Sequence, residues 1–152
     1  MVYSKGQGAT EYLVLLAVVL MIALVSIALL GFFPGLAGDA KVTQSASYWK
    51  GARPFGITEY SQSTTLLNVL IQNNDPDQRV ITAIAAEGGC TVSPTAAQGT
   101  FNGGEKRNIT IASCTTCTTG NTFEHYVNIT YNTNDLTGLK QIGTKPLVGK
   151  CA

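Results

Sequence analysis

Charge is what this sequence has least of. Asp, Glu, Lys and Arg make up 12% of its 152 residues, against roughly 25% in typical soluble domains. The deficit is local, because residues 12–38 contain no charged side chain at all. The ten basic and nine acidic residues nearly cancel, leaving a net charge of +1, which excludes a broad basic surface for a phosphate backbone and makes nucleic acid no expected partner. Histidine occurs once, at His125, which excludes a zinc motif with paired histidines. There is no Gly-x-Ser-x-Gly elbow. The Gly138 to Lys145 segment imitates a phosphate loop only until its end, where Gly143-Thr144-Lys145 reverses the required Gly-Lys-Ser/Thr order. The chain therefore reads as a non-enzyme with no cofactor.

What fills the uncharged stretch is a hydrophobic run. Residues 13–33 number 33 − 12 = 21, and Ser26 is the one polar member. At about 1.5 Å per residue a helix of that length spans the ~30 Å hydrocarbon core of a bilayer. Lipid leaves the backbone no partner but itself, so such a segment is helical despite its valines and isoleucines. Pro34 removes one hydrogen bond and bends a helix rather than necessarily ending it, and the helix is expected to continue through 39–49 into water. Lys5 is the only charge ahead of Glu11. By the positive-inside rule it places the N-terminus in the cytoplasm and the rest outside. A cleaved secretory signal fits less well, since its core is about 7–15 residues.

Glu11 stands immediately before this run, where an ionisable group is costly unless it has a partner or a purpose. Its surroundings give it one. Gln7, Ala9, Glu11 and Leu15 form a pattern of Gln, a small residue two later, Glu at the fifth position and Leu at the ninth. This resembles the class III signal peptide of archaeal type IV pilins, with Ala9 where the family often has Ser. The resemblance covers about ten residues and implies cleavage between Gly6 and Gln7 by a prepilin peptidase. It further implies pairing of Glu11 with the new N-terminal amine, and extraction of the helix from lipid by an assembly platform into the core of a helical homopolymer. The organisation implied is a leader at 1–6, an anchor and filament-core helix at 7–50, and an extracellular domain at 51–152. The same apolar run alone would equally serve a monomeric single-pass anchor carrying a binding module, and a minor pilin or pseudopilin of a secretion or uptake machine would share the motif.

Beyond residue 55 the pattern becomes short β-type runs broken by turn clusters. Residues 65–72 alternate with Leu67, Val69 and Ile71 on one face. Residues 79–86 form a second run. Asn102-Gly103-Gly104 reads as a hairpin turn before a run at 107–112. The run 123–131 puts Phe123, His125, Val127, Ile129 and Tyr131 on one face, which makes His125 a packing residue rather than a base. A last run covers 139–147. The expected fold is α+β: one long hydrophobic helix, then a small antiparallel β-sandwich of immunoglobulin-like size.

Cys90, Cys114, Cys117 and Cys151 all follow the apolar run, on the side where disulfides form. Two disulfides are expected, and four cysteines allow three pairings. Cys114 and Cys117 could instead be half of a metal or redox site, but no second CxxC accompanies them. Asn108 and Asn128 each open an Asn-Ile-Thr sequon and are candidate glycosylation sites on polar strand faces.

Overall fold

The computed structural model describes the backbone of residues 7–152, and the side chains of all of these except 7 and 32–36. The long helix α1 runs from Gln7 to Gly51, 45 residues, and passes through Pro34. The chain divides between residues 40 and 41 into two compact units.

The first unit is the apolar length of α1. Its span Gly8–Gly31, 24 residues, is the one helix among the described residues long and apolar enough to cross a membrane. At ~1.5 Å per residue it measures about 36 Å, against ~30 Å of hydrocarbon. It is apolar all round, with Leu13 61%, Met21 67% and Leu30 69% exposed. Such a surface is stable only in lipid or against other protein. Ser26 Oγ donates to Ile22 O at 2.8 Å, so the polar residue of the uncharged 13–31 part is satisfied inside its own helix.

The second unit, Lys41–Ala152, opens with the last turns of α1. Asn74 sets where these turns end: its Nδ2 donates to Lys50 O at 3.2 Å and Ala52 O at 2.8 Å, satisfying carbonyls that a helix C-terminus leaves orphaned. Trp49 is fully buried.

Strands β1 (Phe55–Ser63), β2 (Leu66–Asn73), β3 (Arg79–Ala86), β4 (Cys90–Val92), β5 (Thr100–Phe101), β6 (Lys106–Ile111), β7 (Thr122–His125), β8 (Val127–Asn132), β9 (Leu139–Ile142) and β10 (Leu147–Lys150) follow, with a four-residue helix α2 (Ala96–Gly99) before β5. One antiparallel sheet has the order β1-β2-β6. Another has the order β4-β3-β8-β9 with β5 also on β3, and β10 pairs with β7. The sheets share one apolar core, built from Ile57, Leu67, Val69, Ile71 and Ile111 on one side and Ile81, Ile84, Val127 and Ile129 on the other. Phe55 lies edge-on to both Phe101 and Tyr131, joining the two. The fold is thus α+β, a long helix followed by open antiparallel sheets.

Three strand expectations are corrected and one strand is added. β1, which falls outside the runs legible in the sequence, is the longest strand. A register shift between Ile57 and Glu59 changes its inward phase, so Phe55 and Ile57 and then Tyr60 and Gln62 never make one clean alternation. The 102–104 turn joins no hairpin, because β5 pairs with β3 and β6 with β2. It crosses between sheets, held by Gly104 N donating to Asn73 O and Asn73 N to Glu105 O, at 2.9 and 3.0 Å. Gly103 packs against the Pro76 backbone, where a Cβ would collide. The run at 123–131 is two strands, β7 on β10 and β8 between β3 and β9. Its alternation passes unbroken through Tyr126, since a period of two records which face a residue takes and not which strand it pairs with. Likewise 139–147 contains β9 and the start of β10.

Candidate functional site

The positions that carry the family resemblance lie at the start of α1. Gly6 and Lys5 are outside the described residues, and so is the expected cleavage bond on its Gly6 side. Gln7 is the first of the described residues and is helical. Ala9, Glu11 and Leu15 follow in regular helix and are exposed. Four residues apart, Glu11 and Leu15 share one face, and with Thr10 and Val14 they border a shallow depression. Ala9, two residues and about 200° from Glu11, is on the other side. Glu11 makes no hydrogen bond or ion pair among the described residues. One carboxylate thus stands at the head of an apolar helix surface.

Within the second unit the last turns of α1 are tied to β10 and β9. Ser45, 3% exposed, donates from Oγ to Pro146 O at 2.9 Å and accepts from Val148 N at 2.9 Å. Tyr48 Oη accepts from Thr144 N at 3.1 Å. Gly143 sits on the Trp49 ring, which a Cβ would strike at 2.5 Å. Gln141 closes the gap between β9 and β1 with its side chain, which accepts from Phe55 N at 2.9 Å and donates to Phe55 O at 2.7 Å.

The four cysteines form two disulfides, Cys90–Cys114 and Cys117–Cys151. The first joins the edge strand β4 to the chain just after β6, beside the bridge between Thr91 and Ala112, and so ties the two main sheets together. The second ties the loop after it to the end of β10. Cys114 and Cys117 take different partners, which rules out the CxxC half-site. Among the described residues no three His, Cys, Asp or Glu side chains gather to hold a metal.

His125 is 5% exposed, stacked on Phe123 at 5.6 Å. Gln62, itself fully buried, donates from Nε2 to Thr115 O at 2.7 Å. That fixes its amide so that Oε1 faces His125 Nε2 at 2.7 Å, which makes Nε2 the protonated nitrogen. The histidine is a hydrogen-bonded packing residue. Gln62 was not singled out in sequence, because a lone Gln in an uneven strand carries no signal of burial.

Both sequon asparagines are exposed. Asn108 lies on the outer face of the β1-β2-β6 sheet opposite Leu70, and Asn128 on the outer face of the other main sheet between Ala85 and Ile142.

Compared with known protein families and with curated proteins, the chain matches none. Its geometry defines a class: an exposed apolar N-terminal helix suited to membrane anchoring, followed by a disulfide-linked β-rich domain suited to an extracellular environment. That layout is compatible with a pilin-like plan.

Proposed function

We propose that this chain is a structural subunit of an archaeal type IV pilus, an adhesion filament. The observation that carries the reading is the apolar helix surface of Gly8–Gly31, exposed on every side, headed by Ala9, Glu11 and Leu15 in the spacing of the pilin signal. In the membrane, lipid covers that surface. In a filament in water, only sister helices can cover it, so leaving the bilayer requires polymerisation. A prepilin peptidase cuts between Gly6 and Gln7, and Glu11 then finds its counter-charge in the amine created at residue 7. The β-rich domain coats the outside of the filament, where its exposed Ser, Thr and Asn side chains and both sequons suit contact with water.

The test is the N-terminal residue of the protein recovered from cells, together with the content of shear-released filaments. The reading expects Gln7 at the N-terminus and this chain as the main filament protein. Glu11→Val, or a blocked Gly6–Gln7 bond, leaves it full-length and membrane-retained with no filaments. Normal filaments built from an uncleavable variant would sink the proposal. A chain that stays monomeric in the membrane identifies a single-pass anchor for a surface binding module, and a few copies per filament identify a minor pilin or pseudopilin.

A further inference from the structure

Asn128 is a polar side chain with apolar neighbours on three sides. Its cross-strand neighbours on the outer face are Ala85 of β3 and Ile142 of β9, and Tyr126, two residues back, projects to the same side. Tyr126 is 45% and Ile142 64% exposed. Besides these two, the only large exposed hydrophobics described in the second unit are Leu66 and Leu136, so half of the set flanks this one asparagine. Tyr126, Asn128 and Ala85 line a common depression with Ala86 and Glu87. Ala85, small and exposed, leaves room above the sheet. Asn128 also opens the Asn-Ile-Thr sequon, whose Thr130 stands on the same face two residues on.

We propose that Asn128 carries an N-linked glycan whose first sugar covers Tyr126 and Ile142. In the transfer, Nδ2 of Asn128 attacks the anomeric carbon of a lipid-linked oligosaccharide. The C–N bond forms as the bond to the lipid phosphate breaks, the phosphate leaves with its electron pair, and one amide proton passes to base. The C–H face of the sugar ring then packs on the tyrosine ring and the isoleucine, while its hydroxyls face water. Exposed apolar patches mark a surface that something covers, and here the covering group is written into the same three residues of chain. Asn108 is less suited. It shares its depression with Glu59, Ser61 and Asn68 and with Tyr60 and Leu70, which are half-buried already and leave less apolar surface to cover, and its Thr110 hydroxyl already donates to Asn68 Oδ1 at 2.7 Å.

The inference rests on the β-rich domain lying outside the membrane, as in the proposed function, but not on polymerisation. The test is peptide mass mapping of the full chain from the cells that make it. The expected result is an oligosaccharide mass on the Asn128 peptide in most copies, lost in both Asn128→Gln and Thr130→Ala. The unglycosylated Asn128→Gln protein should aggregate more readily, and adding Tyr126→Ser and Ile142→Thr should restore its solubility. A bare Asn128 peptide, or sugar on Asn108 alone, overturns the proposal. Thiol counting in the same sample separates the two failures: bare Asn128 with oxidised cysteines leaves the external location standing, whereas four free thiols remove it as well.

Discussion

Ser45 Oγ bridges Pro146 and Val148 at the start of β10, accepting from Val148 N and donating to Pro146 O, both at 2.9 Å. It is the buried polar link between the last turns of α1 and β10. Ser45→Ala leaves the buried Val148 amide without a partner, which costs about 1–3 kcal/mol. Thermal unfolding of the full chain in detergent should show the loss, and hydrogen exchange at Val148 should accelerate more than at Val127. Unchanged exchange at Val148 would falsify this role.

Trp49 and Gly143 are matched in size. Gly143→Ala places a methyl 2.5 Å from the Trp49 ring and 2.6 Å from Val127 O, and overpacking of this kind costs about 1–3 kcal/mol. Trp49→Ala empties the site at about 3–5 kcal/mol. Trp49→Phe is milder, because Trp49 Nε1 is buried with no hydrogen-bond partner and phenylalanine removes that unsatisfied donor. The order of melting temperatures, wild type above Trp49→Phe above Trp49→Ala, checks this.

The two disulfides close loops with sequence separations of 24 and 34, in a range where each contributes about 2–4 kcal/mol. Non-reducing peptide mapping should recover Cys90 with Cys114 and Cys117 with Cys151, and no free thiol. Replacing either pair by serines should lower the unfolding midpoint. Equal stability in the reduced and oxidised protein would contradict it.

Glu105 gives the domain an acid-sensitive contact. Asn102 N donates to its carboxylate at 2.9 Å, and Arg107 approaches at 2.6 Å, together holding its pKa below the usual 4.5. With the folded value lowered, the stabilisation is complete above pH 4.5 and fades as pH falls through the lowered value. Glu105→Gln should flatten the acid limb of a stability–pH curve. An equally steep limb in the variant would show that other carboxylates carry it.

Much of this architecture was legible in the residues themselves. Residues 13–33 specify a helix because lipid permits little else, and β2 was readable because Leu67, Val69 and Ile71 bury the face their alternation implies, whereas β3 was readable only as a run, since a register shift between Ile81 and Ala83 changes its inward phase. The spacing of Glu11 and Leu15 was equally plain, because helical geometry needs no partner to place them on one face.

Pairing was not legible. Alternation at 123–131 does not reveal that Tyr126 separates a strand bound to β10 from one bound to β3, because face and partner are independent properties of a strand. Cysteine positions allow three pairings, and only the approach of β4 to the end of β6 brings Cys90 to Cys114. The sequence by itself determined which segment is apolar, which segments are extended and where thiols and sequons stand, since these are set by local composition and period. Only the tertiary structure decided the partners: Asn74 capping α1, Gln141 on Phe55, Gln62 on His125, and Ala85 and Ile142 beside Asn128. Each of those joins residues far apart in the chain, and such contacts exist only once the whole fold has brought them together.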